Sequence, residues 1–120
     1  MNVIDGFGTS TFMKAGLPIM DEIKELEPKF YQFYVDDKNI DKITIQLSTI
    51  HGDPDLFVSK THKYPDIHTP DVKRSSKCGI YPDIVIYEKT ANNSLVGNYY
   101  ISVNSFEQSI YHLEYFTHST

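Results

Sequence analysis

The chain has 120 residues, 40% of them apolar and 13% aromatic, with nine Tyr, seven Phe and no Trp. That is enough for one domain with its own core and too apolar for a disordered segment, and the aromatic bias favours strands over helices. The formal net charge is −5 and Arg74 is the single arginine, which weighs against nucleic acid and anionic membrane surfaces as partners.

Cys78 is the lone cysteine, so no intrachain disulfide forms. That is compatible with a reducing compartment and equally with a secreted domain that lacks a disulfide. The first twenty residues carry Asp5 and no continuous apolar core, unlike a signal peptide, and no run approaches the roughly 18 apolar residues of a membrane span. We read the chain as a module of a longer protein, with a free-standing cytosolic protein as the alternative.

Residues 1–15 are rich in Gly, Thr and Ser without a sustained period and read as a leading arm; residues 16–120 form one domain. Met20 to Lys24 suits an edge strand, with Pro18 tolerated before it. Glu27-Pro28 turns the chain, because the residue before a proline is pushed out of the helical region. Lys29 to Val35 is a strand with Tyr31, Phe33 and Val35 on one face and Phe30, Gln32 and Tyr34 on the other. Asp36 to Asn39 is a polar turn.

Ile43, Ile45 and Leu47 then alternate with Thr44, Gln46 and Ser48, the period of a half-buried strand. Gly52-Asp53-Pro54-Asp55 breaks the run, and Leu56 and Val58 resume it. The 60–81 segment is irregular, with a short edge strand expected at Val72 to Ser76. Pro82 to Glu88 reads as a strand with Ile84 and Ile86 inward and Val85 and Tyr87 outward. Asn98 to Asn104 and Ser109 to Thr117 complete the set, burying Tyr99, Ile101 and Val103 and then one of two faces, Tyr111, Leu113 and Tyr115 or Ile110, His112 and Phe116. The expected core is Phe33, Ile45, Leu47, Leu56, Val58, Ile84, Ile86, Ile101, Val103 and Leu113. About eight short strands at regular turn spacing predict an all-β, antiparallel jelly-roll β-sandwich.

Four blocks carry a resemblance: Phe30 to Val35, Gly52 to Ser59, Gly97 to Val103 and Ile110 to Leu113. Together they resemble the bacterial pre-peptidase C-terminal domain, a family that includes the collagen-binding domains of clostridial collagenases. The resemblance implies a jelly-roll sandwich, no catalysis of its own, and an accessory role beside a protease or in a surface protein. It also implies a calcium site in some members, formed largely by an acidic segment before the first strand, where this chain has Asp5 alone. The C2-like regulatory domains of cytosolic calpain-type proteases are similar sandwiches. Localisation follows the parent: cytoplasmic for a calpain-like protein, extracellular for a secreted module.

Asp53 and Asp55 are candidate calcium ligands, with Asp83 and Asp66 as further ones, because hard cations collect several oxygens at one point. The alternative is that these carboxylates cap turn backbone. The five histidines show no metal-ligand spacing, and Cys78 lies in no recognisable nucleophile motif. Gly6-Phe7-Gly8 is not placed as a phosphate loop. Asn92-Asn93-Ser94 is a sequon that matters only in a secreted chain. We therefore expect no enzyme activity and no cofactor beyond calcium. Tyr34, Phe57, Tyr87 and Tyr100, if outward, form an aromatic surface for a polypeptide ligand or for a neighbouring catalytic domain of the same chain. If loops cover that face, the same residues are structural.

Overall fold

The computed structural model describes residues 9–24, 27–75 and 81–119. Asp5, the Gly6-Phe7-Gly8 stretch and Cys78 lie outside the described residues. Nine strands are found among them: β1 (Ser10–Phe12), β2 (Ile19–Ile23), β3 (Lys29–Val35), β4 (Ile40–His51), β5 (Asp55–Ser59), β6 (Lys73–Ser75), β7 (Asp83–Glu88), β8 (Gly97–Asn104) and β9 (Ser109–Ser119).

The strands form a five-stranded sheet in the order β1-β3-β8-β5-β6 and a four-stranded sheet in the order β2-β9-β4-β7. Strand β2 pairs with β9, β3 with β8, β4 with β7 and β5 with β6, all antiparallel. This is one long hairpin rolled up, closed by β9 on β4 and β8 on β5, which is the winding of a jelly roll. Strand β1, inside the stretch read as a leading arm, adds to the edge of β3 in parallel, and Met13 just beyond it is buried in the core.

The two inner faces make one core, as the alternation requires. Phe33, Ile45, Leu47, Leu56, Val58, Ile101, Val103 and Leu113 are all buried in it. Aromatic rings fill its middle: Phe33 stacks on Tyr115 at 3.6 Å and on Tyr99 at 5.0 Å between ring centres. In β9 it is Tyr111, Leu113 and Tyr115 that face inward.

Strand β7 corrects the expectation. Ile84 and Ile86 are each 39% exposed, whereas Val85 and Tyr87 are buried, so the facing is reversed. The run Asp-Ile-Val-Ile-Tyr-Glu is apolar on both faces, and its period alone does not choose between them. Pairing with β4 does: Ile84 and Ile86 sit opposite Gln46 and Thr44, while Val85 and Tyr87 sit opposite the buried Ile45 and Ile43. Neither isoleucine is core, and Tyr87 is not an outward aromatic.

The segment between β5 and β6, residues 60–72, is the tip of the rolled hairpin. It folds over the outer face of the five-stranded sheet as a series of small turns. Ser59 Oγ donates to Asp71 at 2.5 Å, and the Lys60 N–H donates to the same carboxylate at 3.0 Å. Further along, the Tyr64 ring meets Phe30 edge-on at 4.8 Å. That contact helps to bury Phe30, which lies on the outer face of β3.

Candidate functional site

The acidic turn begins at Gly52, whose φ of 88° lies in the left-handed region that favours glycine. Its Asp53 N–H donates to Ser109 Oγ at 3.2 Å, tying the turn to the start of β9. Asp55 then opens β5 beside Asn104 of β8. Burial pushes the Asp55 carboxyl up, and the negative charges of Asp53 and Asp83 push it further, against a partial offset from Arg74. Asp83 is buried at the start of β7 and accepts from Ser75 Oγ at 2.8 Å. Asp66 turns its carboxylate onto its own loop, accepting from the His68 N–H at 2.8 Å. The four predicted carboxylates are therefore in two settings, with Asp53, Asp55 and Asp83 sharing a field and Asp66 capping a turn. Among the described residues no group of three or more His, Cys, Asp or Glu side chains is arranged to hold a metal ion.

Two of these carboxylates reappear around a cleft of about 450 Å³ at the end of the five-stranded sheet. Asp55, Phe57 and Arg74 supply its floor from β5 and β6, Asp66 and Ile67 its wall from the 60–72 loop, and Asn104 to Phe106 its opposite wall from the β8–β9 turn. Phe57 and Arg74 are direct cross-strand partners, which brings an aromatic ring and a guanidinium side by side. Phe106 is 90% exposed and Ile67 53% exposed. Sequence reasoning does not single out either: Phe106 falls between the last two expected strands and Ile67 in the irregular 60–81 segment.

The remaining predicted aromatics do not join this cleft. Tyr34 is 56% exposed at the far end of β3, and Tyr100 is half-buried beside Gln32 and Ser59. Tyr87 is inside, with its ring edge-on to Tyr99 at 5.2 Å. Of the four, Phe57 alone lines the cleft.

A second concavity, of about 590 Å³, opens between the edges of β1 and β3 on one sheet and β2 on the other. At its base Tyr31 Oη donates to Asp21 at 2.6 Å, and Lys29 Nζ reaches the other oxygen of that carboxylate at 2.6 Å. Tyr31 and Tyr111 share a further hydroxyl–hydroxyl bond of 2.5 Å. Burial works to raise the Asp21 carboxyl, but the hydrogen bonds from Lys29, Tyr31 and the Glu22 N–H prevail and hold it below the usual range. Burial raises both tyrosine hydroxyls well above their ordinary value, so they serve as neutral donors. The sequence signal was Asp21 in phase with the inward Ile19 and Ile23.

Thr61 Oγ1 and His62 Nδ1 lie 2.7 Å apart, and an Asp71 oxygen stands 3.8 Å from that same nitrogen. A nucleophile–base–orienter relay needs its two partners on opposite ring nitrogens, so this exposed trio is not such a relay.

The rolled-hairpin strand order and the shared aromatic core define the class of protein, a jelly-roll β-sandwich. Among solved structures, the pre-peptidase C-terminal domain of collagenase from Bacillus anthracis has the same fold. It matches over 89% of this chain and 94% of that one with a TM-score of 0.65 and 12% sequence identity. The resemblance carried by the Gly52–Ser59 and Gly97–Val103 blocks thus holds at the level of fold. No protein-family model and no curated protein matches the sequence. No helix among the described residues is long and apolar enough to cross a membrane.

Proposed function

We propose that this chain is a non-catalytic accessory module that binds polypeptide, and that the cleft bounded by Phe57, Ile67 and Phe106 is its contact site. The observation that supports this most is the exposure of Phe106 and Ile67 on two walls of a mostly apolar cleft. Large apolar side chains held open to water around a concavity mark partner sites. The polypeptide is either a separate protein or a neighbouring catalytic domain of the same chain. The likeness to a domain of a collagenase favours a parent protease. A calpain-type parent is the second member of that class, distinguished by a papain-like Cys and His upstream of the module, where a signal peptide indicates the secreted form.

The test is selection from a displayed random-peptide library on the immobilised chain. Peptides retained by the parent and lost on both Phe106→Ala and Phe57→Ala support the reading, provided the variants keep the parent's melting midpoint. Retention that ignores both substitutions would place the contact elsewhere. Turnover of a substrate by the purified chain, abolished by a point substitution, would overturn the non-catalytic assignment.

A further inference from the structure

We infer that the cleft selects a polypeptide segment in which a large apolar side chain is flanked by Lys or Arg. This rests on the binding reading above and adds the chemistry of the guest.

The apolar half of the argument is the shape. Phe57 forms the floor and Ile67 and Phe106 the walls, so an inserted aromatic or branched side chain removes water from three apolar surfaces at once. The charged half is the rim. Among the described residues, Asp55 and Asp66 line the cleft with one cation, Arg74. Asp53 and Asp83 add their charges to the field at Asp55, and Arg74 offsets it only in part. The balance is negative on a chain that is itself at −5, so electrostatic steering draws basic segments and repels acidic ones. Arg74 has a separate place: beside Phe57 its guanidinium plane is available to stack on an incoming aromatic ring. A bound guanidinium or ammonium at the rim adds a favourable charge beside the Asp55 carboxylate, whose burial and carboxylate neighbours outweigh the offset from Arg74.

The experiment is amide chemical-shift titration of the full chain with three capped tripeptides: Arg-Phe-Arg, Glu-Phe-Glu and Arg-Gly-Arg. Saturable shifts confined to residues 55–57, 66–74 and 104–106 are expected for Arg-Phe-Arg, with affinity about five-fold or more above either of the others. Raising NaCl to about 1 M narrows the gap to Glu-Phe-Glu, since the discrimination is Coulombic. Asp55→Asn combined with Asp66→Asn removes that gap while Phe106→Ala removes binding; the exposure of Asp66 and Phe106 makes those two changes compatible with folding, and the spectrum of each variant reports it. Equal binding of Arg-Phe-Arg and Glu-Phe-Glu in the cleft would overturn the basic preference and leave the binding site standing. Absence of saturable shifts in the cleft for all three probes would overturn both.

Discussion

Tyr31 and Tyr111 come from facing sheets and are 80 positions apart, yet their hydroxyls are 2.5 Å from each other inside the sandwich. Tyr31 spends its single proton on Asp21, so Tyr111 is the donor to Tyr31. The chain of bonds runs β9 to β3 to β2 and pins the edge strand β2 across the gap between sheets.

Removing one member therefore has unequal effects. Tyr31→Phe strips Asp21 of a donor and leaves the buried Tyr111 hydroxyl without its acceptor. It should cost about 2–3 kcal/mol, against about 1 kcal/mol for Tyr111→Phe, which leaves the Tyr31–Asp21 bond in place. Denaturant midpoints of the two single variants and the double variant measure this. Equal losses would mean that the two hydroxyls do not act in series.

Asp21 also sets an acid limit. Its folded pKa lies below the unfolded one, so its contribution to stability is present above the unfolded value, near 3.8, and is lost as pH falls through the folded value. Asp71 shifts in the same direction and adds to the effect, whereas Asp55, raised, contributes in the opposite sense. Melting midpoints should fall steeply as pH drops below about 4, and Asp21→Asn should flatten that limb without removing it. An unchanged limb in the variant would deny Asp21 its part.

Strand β4 was legible in the sequence because its outward positions are Thr, Gln and Ser, so polarity and period agree. Strand β7 was not, because isoleucines occupy its outer face on a sheet edge, and only the register against β4 decides. The tyrosine link and the cleft escaped for another reason: each joins residues from separate turns and strands, which no local period reports. Phe57 was found as an outward aromatic, but its neighbours Ile67 and Phe106 come from loops whose placement is a tertiary fact.

The reversed facing of β7 makes its own prediction. Leu47→Ala, in a fully buried site, should cost about 2–5 kcal/mol, while Ile86→Ala should cost about 1 kcal/mol or less. Comparable losses in urea-unfolding midpoints would show Ile86 to be core after all.

Gly52 and Gly97 both have positive φ, but a Cβ meets different surroundings at each. At Gly52 it would collide with Ser109 Oγ and the Gln108 carbonyl and lie 2.8 Å from Ser109 Cα, whereas at Gly97 nothing lies within 4 Å. Gly97→Ala then costs only backbone strain, about 1–2 kcal/mol. Gly52→Ala adds displacement of the β9 start and should cost more than about 2 kcal/mol and loosen the Asp53–Ser109 bond. Calorimetric midpoints in the reverse order would be incompatible with this close approach.

The same turn decides the calcium question. Asp53 and Asp83 both act on Asp55 as like charges, and a divalent ion that bound Asp53 and Asp55 would relieve that repulsion. Yet they form no three-residue ligand group with the other described side chains, and Arg74 already occupies part of the field. Most of the six to eight oxygens that Ca²⁺ takes would then be water, which limits affinity to about the millimolar range. Binding to the folded chain alone, at about ten times its dissociation constant, adds roughly 1.4 kcal/mol, a rise of a few degrees in the melting midpoint. We propose that this small rise occurs in about 10 mM Ca²⁺ relative to chelator and disappears in Asp53→Asn/Asp55→Asn. A parent midpoint that does not move would remove calcium from the account and leave both residues as turn formers. A rise that survives the double substitution would move the ion to another part of the chain.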